Sequence, residues 1–261
     1  MRGVLLFAFN NGVVDYYEMA CKTARRINHF LDLPVTVITD KNTYFKNYNY
    51  SFDKVIIVDS DNSNTKGRNI WINKNRYQAF ELTPYDETIL IDTDFLVNSN
   101  KLLDAFLVCD DYAIHKKTQF VFHEVMDEYM SATSFETLWA TVFAFKKTLK
   151  TKQFFDCVKM VQHNYNHYVH LYNMMTSSFR NDYAFTIAHR VINGNIEVQN
   201  NLLPWKLLHA GSDVKIHKLS DNEFNTDYIM FFTNIKNKTE YIKIKETDFH
   251  CMNKTNYMEI V

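Results

Sequence analysis

The stretch ETILIDTDFLVNSN, residues 87–100, sets two aspartates one residue apart directly behind the short run TILI. A β-branched and apolar run of this length, bounded by polar residues, reads as a buried strand. On an extended backbone side chains two apart share a face, so Asp92 and Asp94 are expected to leave the strand end together. Two carboxylates in one small volume repel, which raises a pKa unless a cation shares them. Oxygen donors of this kind suit Mg²⁺ or Mn²⁺, and Mg²⁺ typically takes one or two carboxylates plus substrate phosphates. The stretch therefore points to a metal-bridged diphosphate. The plain alternative is a solvated turn or a helix cap.

The flanking sequence places this strand in a series. VLLFAF at 4–9 is followed by the turn NNG and by Ala20, Ala24, Ile27 and Leu31 at helical spacing, a pattern that Pro34 ends. VTVITD at 35–40 and VIIVD at 55–59 are two further strands, each closing on an aspartate. Residues 74–82, KNRYQAFEL, read as a helix before TILI. Strand–helix–strand alternation predicts an α/β fold, an αβα sandwich with a mostly parallel central sheet whose ligands sit beyond the carboxyl ends of the strands. Asn10, Asp40 and Asp59 fall at such ends. Downstream, WATVFAF at 139–145 is a further strand, and Phe155, Val158, Val161, Tyr165, Tyr168 and Tyr172 mark one long amphipathic helix. A second helix is read from Tyr183, Ile187, Ala188 and Val191, closed by Asn193 and Gly194. From about 196 the chain reads as short strands and loops: IEVQ, VKIHKL, YIMFF and YIKIK. No repeat or linker divides the 261 residues, so one domain is expected.

Composition excludes some classes. With 46% hydrophobic and 23% charged residues, neither disorder nor a membrane protein is indicated. The apolar runs are far shorter than the roughly 18 residues of a spanning helix. VLLFAF is cut off by Asn10, Asn11 and Gly12 with no small-residue cleavage site, unlike a signal peptide. The four cysteines form no CxxC pair, which suits free thiols and a cytoplasmic location. A net charge of −1 gives the whole chain no electrostatic case for a polyanion, leaving only local patches such as Lys116 with Lys117, and KKTLKTK at 146–152.

ILIDTDFLV, about ninety residues into a chain that opens with VLLFAFN and a helix leading to PVTVITD, resembles the nucleotide-sugar glycosyltransferases of GT-A fold. The resemblance covers nearly the whole chain. It implies a nucleotide-sugar-binding half over 1–100, and an acceptor half with a C-terminal metal and phosphate segment over 101–261. It implies a nucleotide-sugar donor, a UDP-sugar first among the candidates, whose diphosphate is held through Mn²⁺ or Mg²⁺ by Asp92 and Asp94. Many members complete the metal sphere with a late histidine. DFHCMNK at 248–254 offers His250, with Asn253 and Lys254 behind it for phosphate. FRNDYAF at 179–185 puts Asp182 at a helix start, where inverting members keep their general base; the alternative is that Asn181 or Asp182 caps that helix. Asn10, Asp40 and Arg76 carry over as nucleoside or phosphate contacts. An HxxGxxKPW-like segment is missing, LLPWKLLHAG at 202–211 being only similar to it, so retaining and inverting chemistry both stay open.

For the acceptor, the chain is similar to small glycosyltransferases of tailed phages, some of which modify hydroxymethylated pyrimidines in DNA. A DNA acceptor requires Lys and Arg on phosphates and an aromatic surface for an extruded base. The two basic patches and the Tyr- and His-rich segment 163–172 are the candidates, against a solvated face. A surface or capsular saccharide is the other acceptor, and a non-catalytic nucleotide- or glycan-binding module is the reading from another class. A haloacid-dehalogenase-type phosphatase would carry its D-x-D near the N-terminus with Thr or Val where Leu96 stands. A polymerase palm would need a further carboxylate strand.

Overall fold

The computed structural model describes all residues except 45–51, 60–64, 67–68, 71–72, 117, 122–124, 127–128, 133, 175–177, 197, 199–200 and 235. Lys117 and parts of IEVQ thus lie outside the described residues. A six-stranded sheet has the order Lys54–Ile57, Val35–Thr39, Arg2–Phe7, Glu87–Ile91, Trp139–Lys146, Tyr112–His115. The first four strands are parallel, and Trp139–Lys146 runs antiparallel to both its neighbours. The expected α/β class with a mostly parallel central sheet is what the chain adopts.

Both faces of the sheet are covered, which is why its strands read as nearly continuous apolar runs. Val4, Leu6, Ile89 and Ile91 pack against Ala20, Ala24 and Ile27 of the helix Tyr16–Leu31. On the other face Leu5, Leu90 and Phe143 meet Phe154, Val158, Phe185 and Ala188 of the helices Leu149–His163 and Asn181–Ile192. Asp15 caps the first helix by accepting from the Glu18 N–H at 3.0 Å, and the helix ends at Asp32 in the left-handed region, two residues before Pro34.

Three expectations change. Residues 74–82 are a 3₁₀ turn, Lys74–Gln78, running into a four-residue helix, Ala79–Leu82. The single long helix expected through Phe155 and Tyr172 is two, Leu149–His163 and Tyr165–Leu171. At the break the Asn164 Nδ2 donates to the Met160 carbonyl at 2.9 Å, side-chain competition with the backbone that is typical of asparagine. Besides the expected short strands, the tail holds two more, Leu207–Ala210 and Phe249–Cys251, and a closing helix, Lys254–Ile260.

Those short strands build a second sheet, ordered Val125–Met126, Thr118–Phe120, Leu207–Ala210, Phe249–Cys251, Phe95–Leu96. It pairs the chain just beyond Asp94 with the C-terminal segment, His250 opposite Phe95. A meander of Lys215–Lys218, Asp227–Thr233 and Thr239–Lys245 backs it, with Ile216, Tyr228 and Met230 packed on Leu96, Phe249 and Tyr257. Among the described residues no helix is long and apolar enough to cross a membrane. The four cysteines are buried and free.

Candidate metal and phosphate site

Asp92 and Asp94 converge, though not on an extended backbone. The chain turns at Asp92, with the Phe95 N–H donating to the Asp92 carbonyl at 3.1 Å, and the short strand Phe95–Leu96 leaves from that turn. Thr93 anchors the turn from behind, its carbonyl accepting from the Thr23 hydroxyl of the first helix at 2.5 Å. The Asp92 N–H donates to the Thr141 carbonyl at 3.0 Å, and the Asp94 carbonyl accepts from the Cys251 N–H at 3.0 Å. The pair is thus clamped between the central sheet and the C-terminal strand. His250 follows from that pairing: its Nε2 lies 3.1 Å from the Asp94 Oδ2. Asp92, Asp94 and His250 each offer a ligand atom, all within 4.8 Å of one another.

Each carboxylate has its own cation. Arg76 pairs with Asp92 through Nη1, while its Nη2 donates to the Ala140 carbonyl at 2.6 Å. Lys254, at the start of the last helix, pairs with the Asp94 Oδ2. Burial pushes the Asp94 carboxyl upward, but Lys254 and His250 together outweigh it and hold the group below the usual carboxylate range. Asp92 shifts the other way: burial raises it, and Arg76 offsets only part of that while Asp94 adds to it. For Lys254, burial lowers the pKa and Asp94 more than restores it, so the amine stays charged. Two carboxylates and an imidazole form a mixed O/N donor set of the kind a divalent ion takes.

Asp182 adjoins this centre through one backbone unit. Its Oδ1 accepts from the Ala140 N–H at 3.0 Å, the same residue whose carbonyl accepts from Arg76, and its Oδ2 pairs with Arg180 at 3.2 Å. It does not cap its own helix. Nor does Asn181, whose Nδ2 donates to the Asn73 carbonyl at 3.1 Å. The remaining candidates make hydrogen bonds to their own surroundings. The Asn10 amide bridges Asp15 and the Tyr17 N–H, Asp40 accepts from the Thr43 N–H at 2.7 Å, and Asn253 caps the last helix through the Asn256 N–H while donating to the Ser212 carbonyl.

Three participants were not singled out from sequence. His209 lies beside His250, their Nδ1 atoms 3.1 Å apart. Burial pushes its pKa down to about 3, with His250 adding to the shift. Arg180 stacks over Tyr183, 4.7 Å from the ring centre. Tyr16 has its phenol raised by burial and feels the charges of Lys254, Asp94 and Asp92. LLPWKLLHAG contained His209, but nothing in its spacing pairs it with His250; that neighbourhood is a matter of strand register.

No protein-family model matches the chain, and no curated protein matches it. Solved structures similar to it include the galactosyltransferase LgtC in complex with donor and acceptor sugar analogues, at 13% identity and TM-score 0.48, over 72% of this chain and 70% of that one. Mouse xyloside xylosyltransferase 1 is similar at 9% identity and TM-score 0.45, over 75% of this chain and 84% of that one. The glycosyltransferase GlyE of Streptococcus pneumoniae TIGR4 is similar at 9% identity and TM-score 0.41, over 77% of this chain and 44% of that one.

Proposed function

We propose that the chain is a metal-dependent glycosyltransferase that moves a sugar from a nucleotide-sugar donor to an acceptor hydroxyl. The observation that carries this reading is the convergence of Asp92, Asp94 and His250 with Lys254 and Arg76 beyond the carboxyl end of a parallel strand. A divalent ion, Mn²⁺ or Mg²⁺, held by Asp92, Asp94 and His250 would supply Lewis-acid stabilisation of the departing diphosphate. Lys254 and Arg76 bring two further positive charges to the volume where negative charge builds, and partial burial makes each worth more than it would be in water. Asp182, joined to Arg76 through the backbone of Ala140, is in this reading the group that takes the proton from the acceptor hydroxyl during attack. An inverting outcome follows from that role.

For the acceptor we favour a saccharide. Lys116 is engaged by Glu136 at 3.0 Å. The run 146–152 begins where Lys146 stands in register with Glu87, at the opposite end of the strands from Asp92, so it is badly placed to steer DNA to this centre. A cleft of 430 Å³ lined by Trp205, Lys206, Gln119 and Asp248 offers an aromatic platform beside hydrogen-bond donors and acceptors, a combination that suits a sugar ring. The hydroxymethylated-DNA acceptor draws no support from these positions.

The test is hydrolysis of a panel of nucleotide sugars, UDP-sugars first, with Mn²⁺, with Mg²⁺ and with a chelator. Slow metal-dependent hydrolysis is expected, with Asp94→Asn reducing it at least about 100-fold, as for loss of a principal electrostatic stabiliser. Binding of nucleotide sugars without turnover would favour the non-catalytic module. Adding hydroxymethylated DNA and saccharides as acceptors then separates the two acceptor classes by mass.

A further inference from the structure

His209 and His250 face each other through Nδ1 atoms 3.1 Å apart, and the other nitrogen of His250, Nε2, faces Asp94 at 3.1 Å. Two ring nitrogens at that distance need one N–H and one lone pair between them. If His209 holds its proton on Nδ1, His250 must accept there, and a neutral His250 then carries its proton on Nε2, the nitrogen that faces the carboxylates. It can then donate to Asp94 but cannot ligate an ion. If His209 accepts on Nδ1, His250 carries Nδ1–H and presents the Nε2 lone pair to the space shared with Asp92 and Asp94. The tautomer of His209 therefore decides whether His250 is a donor or a ligand.

The surroundings choose the second arrangement. His209 is 1% exposed, and its Nε2 has no hydrogen-bond partner among the described residues. The rings of Phe120 and Trp139 lie 4.8 and 5.1 Å from its own. Among aromatic rings an N–H can donate to a π system where a lone pair cannot, which favours the His209 proton on Nε2 and leaves Nδ1 free to accept. The backbone fixes the pair, because Leu207–Ala210 and Phe249–Cys251 are parallel with His209 in register with His250.

We infer that His209 is a positioning residue for the metal centre: by accepting the Nδ1–H of His250 it locks that imidazole in the ligating tautomer and orientation. The inference rests on the metal-site reading above but is separable from it. Partners one bond beyond a metal ligand typically change affinity about 10–100-fold when removed.

The experiment is Mn²⁺ titration of the purified chain without nucleotide, read by loss of the free-ion EPR signal, for wild type, Asp94→Asn, His209→Phe and His209→Asn. Asn can place its Oδ1 near the position of the imidazole Nδ1 and accept the same proton. The expected result is binding about tenfold or more weaker in His209→Phe, with His209→Asn closer to wild type than to His209→Phe. Nitrogen-15 NMR of the Mg²⁺-saturated wild type gives a readout that needs no variant to fold: the His209 proton should reside on Nε2 and the His250 proton on Nδ1. Equal affinity in His209→Phe and wild type, loss in His209→Asn as large as in His209→Phe, or a His209 proton on Nδ1 would each overturn the inference while leaving the metal site standing. If wild type binds Mn²⁺ no better than Asp94→Asn does, the metal-site reading itself fails and takes this inference with it.

Discussion

Asp182 gives one carboxylate oxygen to the Ala140 N–H and the other to Arg180, so the proposed base role and packing would compete for the same side chain. Asparagine keeps an oxygen for Ala140 and loses the basicity. Asp182→Asn is therefore expected to lower kcat by about 100-fold or more, the range of a general base, with little change in donor KM or melting temperature. Asp182→Ala leaves the Ala140 N–H without its acceptor and should also cost about 1–2 kcal/mol of stability. Denaturant unfolding beside steady-state kinetics checks both; an Asp182→Asn enzyme with full turnover would remove the base role. At this scale the sequence was informative where a charged pair follows a strand or a histidine and lysine sit four apart, as in Asp92, Asp94, His250 and Lys254. It was silent on His209, because an imidazole in LLHAG carries no sign of the neighbour that folding supplies.

The elements were legible where apolar periodicity is long and blurred where three or four residues suffice. The strands of the central sheet and the helices on its faces have enough apolar positions to be read directly, whereas Phe249–Cys251 is a strand because it pairs with Phe95–Leu96 on one side and Leu207–Ala210 on the other. The direction of the D-x-D carboxylates belongs here too: a turn, rather than strand alternation, brings them together, and no pattern of residue types separates the two routes. Gly3 shows what the first strand needs from its sequence. A Cβ at this position would lie 2.4–2.5 Å from the Tyr85 ring, whose hydroxyl is hydrogen-bonded to Thr36 at 2.8 Å on the neighbouring strand. The ring is 2% exposed and has little room to retreat. Gly3→Ala should cost about 1–3 kcal/mol, as overpacking does, and Gly3→Ala with Tyr85→Leu should recover part of it, since the clash is with the ring. Urea midpoints of the single and double variants measure this, and additive losses would show that the ring is not the obstacle.

Across the whole molecule, buried ionisable groups set how stability responds to acid. Burial lowers the pKa of His115 to about 3, with Lys101 adding to the shift, and neither of its ring nitrogens has a hydrogen-bond partner among the described residues. Burial acts in the opposite direction on Asp248, raising it to about 6 against the N–H groups of Asn98 and Ser99 and the Ser99 hydroxyl. A histidine whose folded pKa lies below its unfolded value is neutral in the fold and takes a proton on unfolding. Its contribution is complete above the unfolded value and is lost as pH falls toward 3. An aspartate whose folded pKa is raised contributes in full below its unfolded value and loses that contribution as pH rises through 6. Between pH 6 and 4 His115 thus makes the unfolded state bind one proton more, and Asp248 makes it bind one fewer. Each proton is worth about 1.4 kcal/mol per pH unit in the slope of stability. Removing His115 should flatten the acid limb by about that amount, and Asp248→Asn should steepen it by about the same. Urea unfolding of wild type, His115→Leu and Asp248→Asn at pH 6, 5 and 4 tests the pair. The two variants must depart from wild type in opposite senses, and curves parallel to wild type would show that neither group is titrating as its burial dictates.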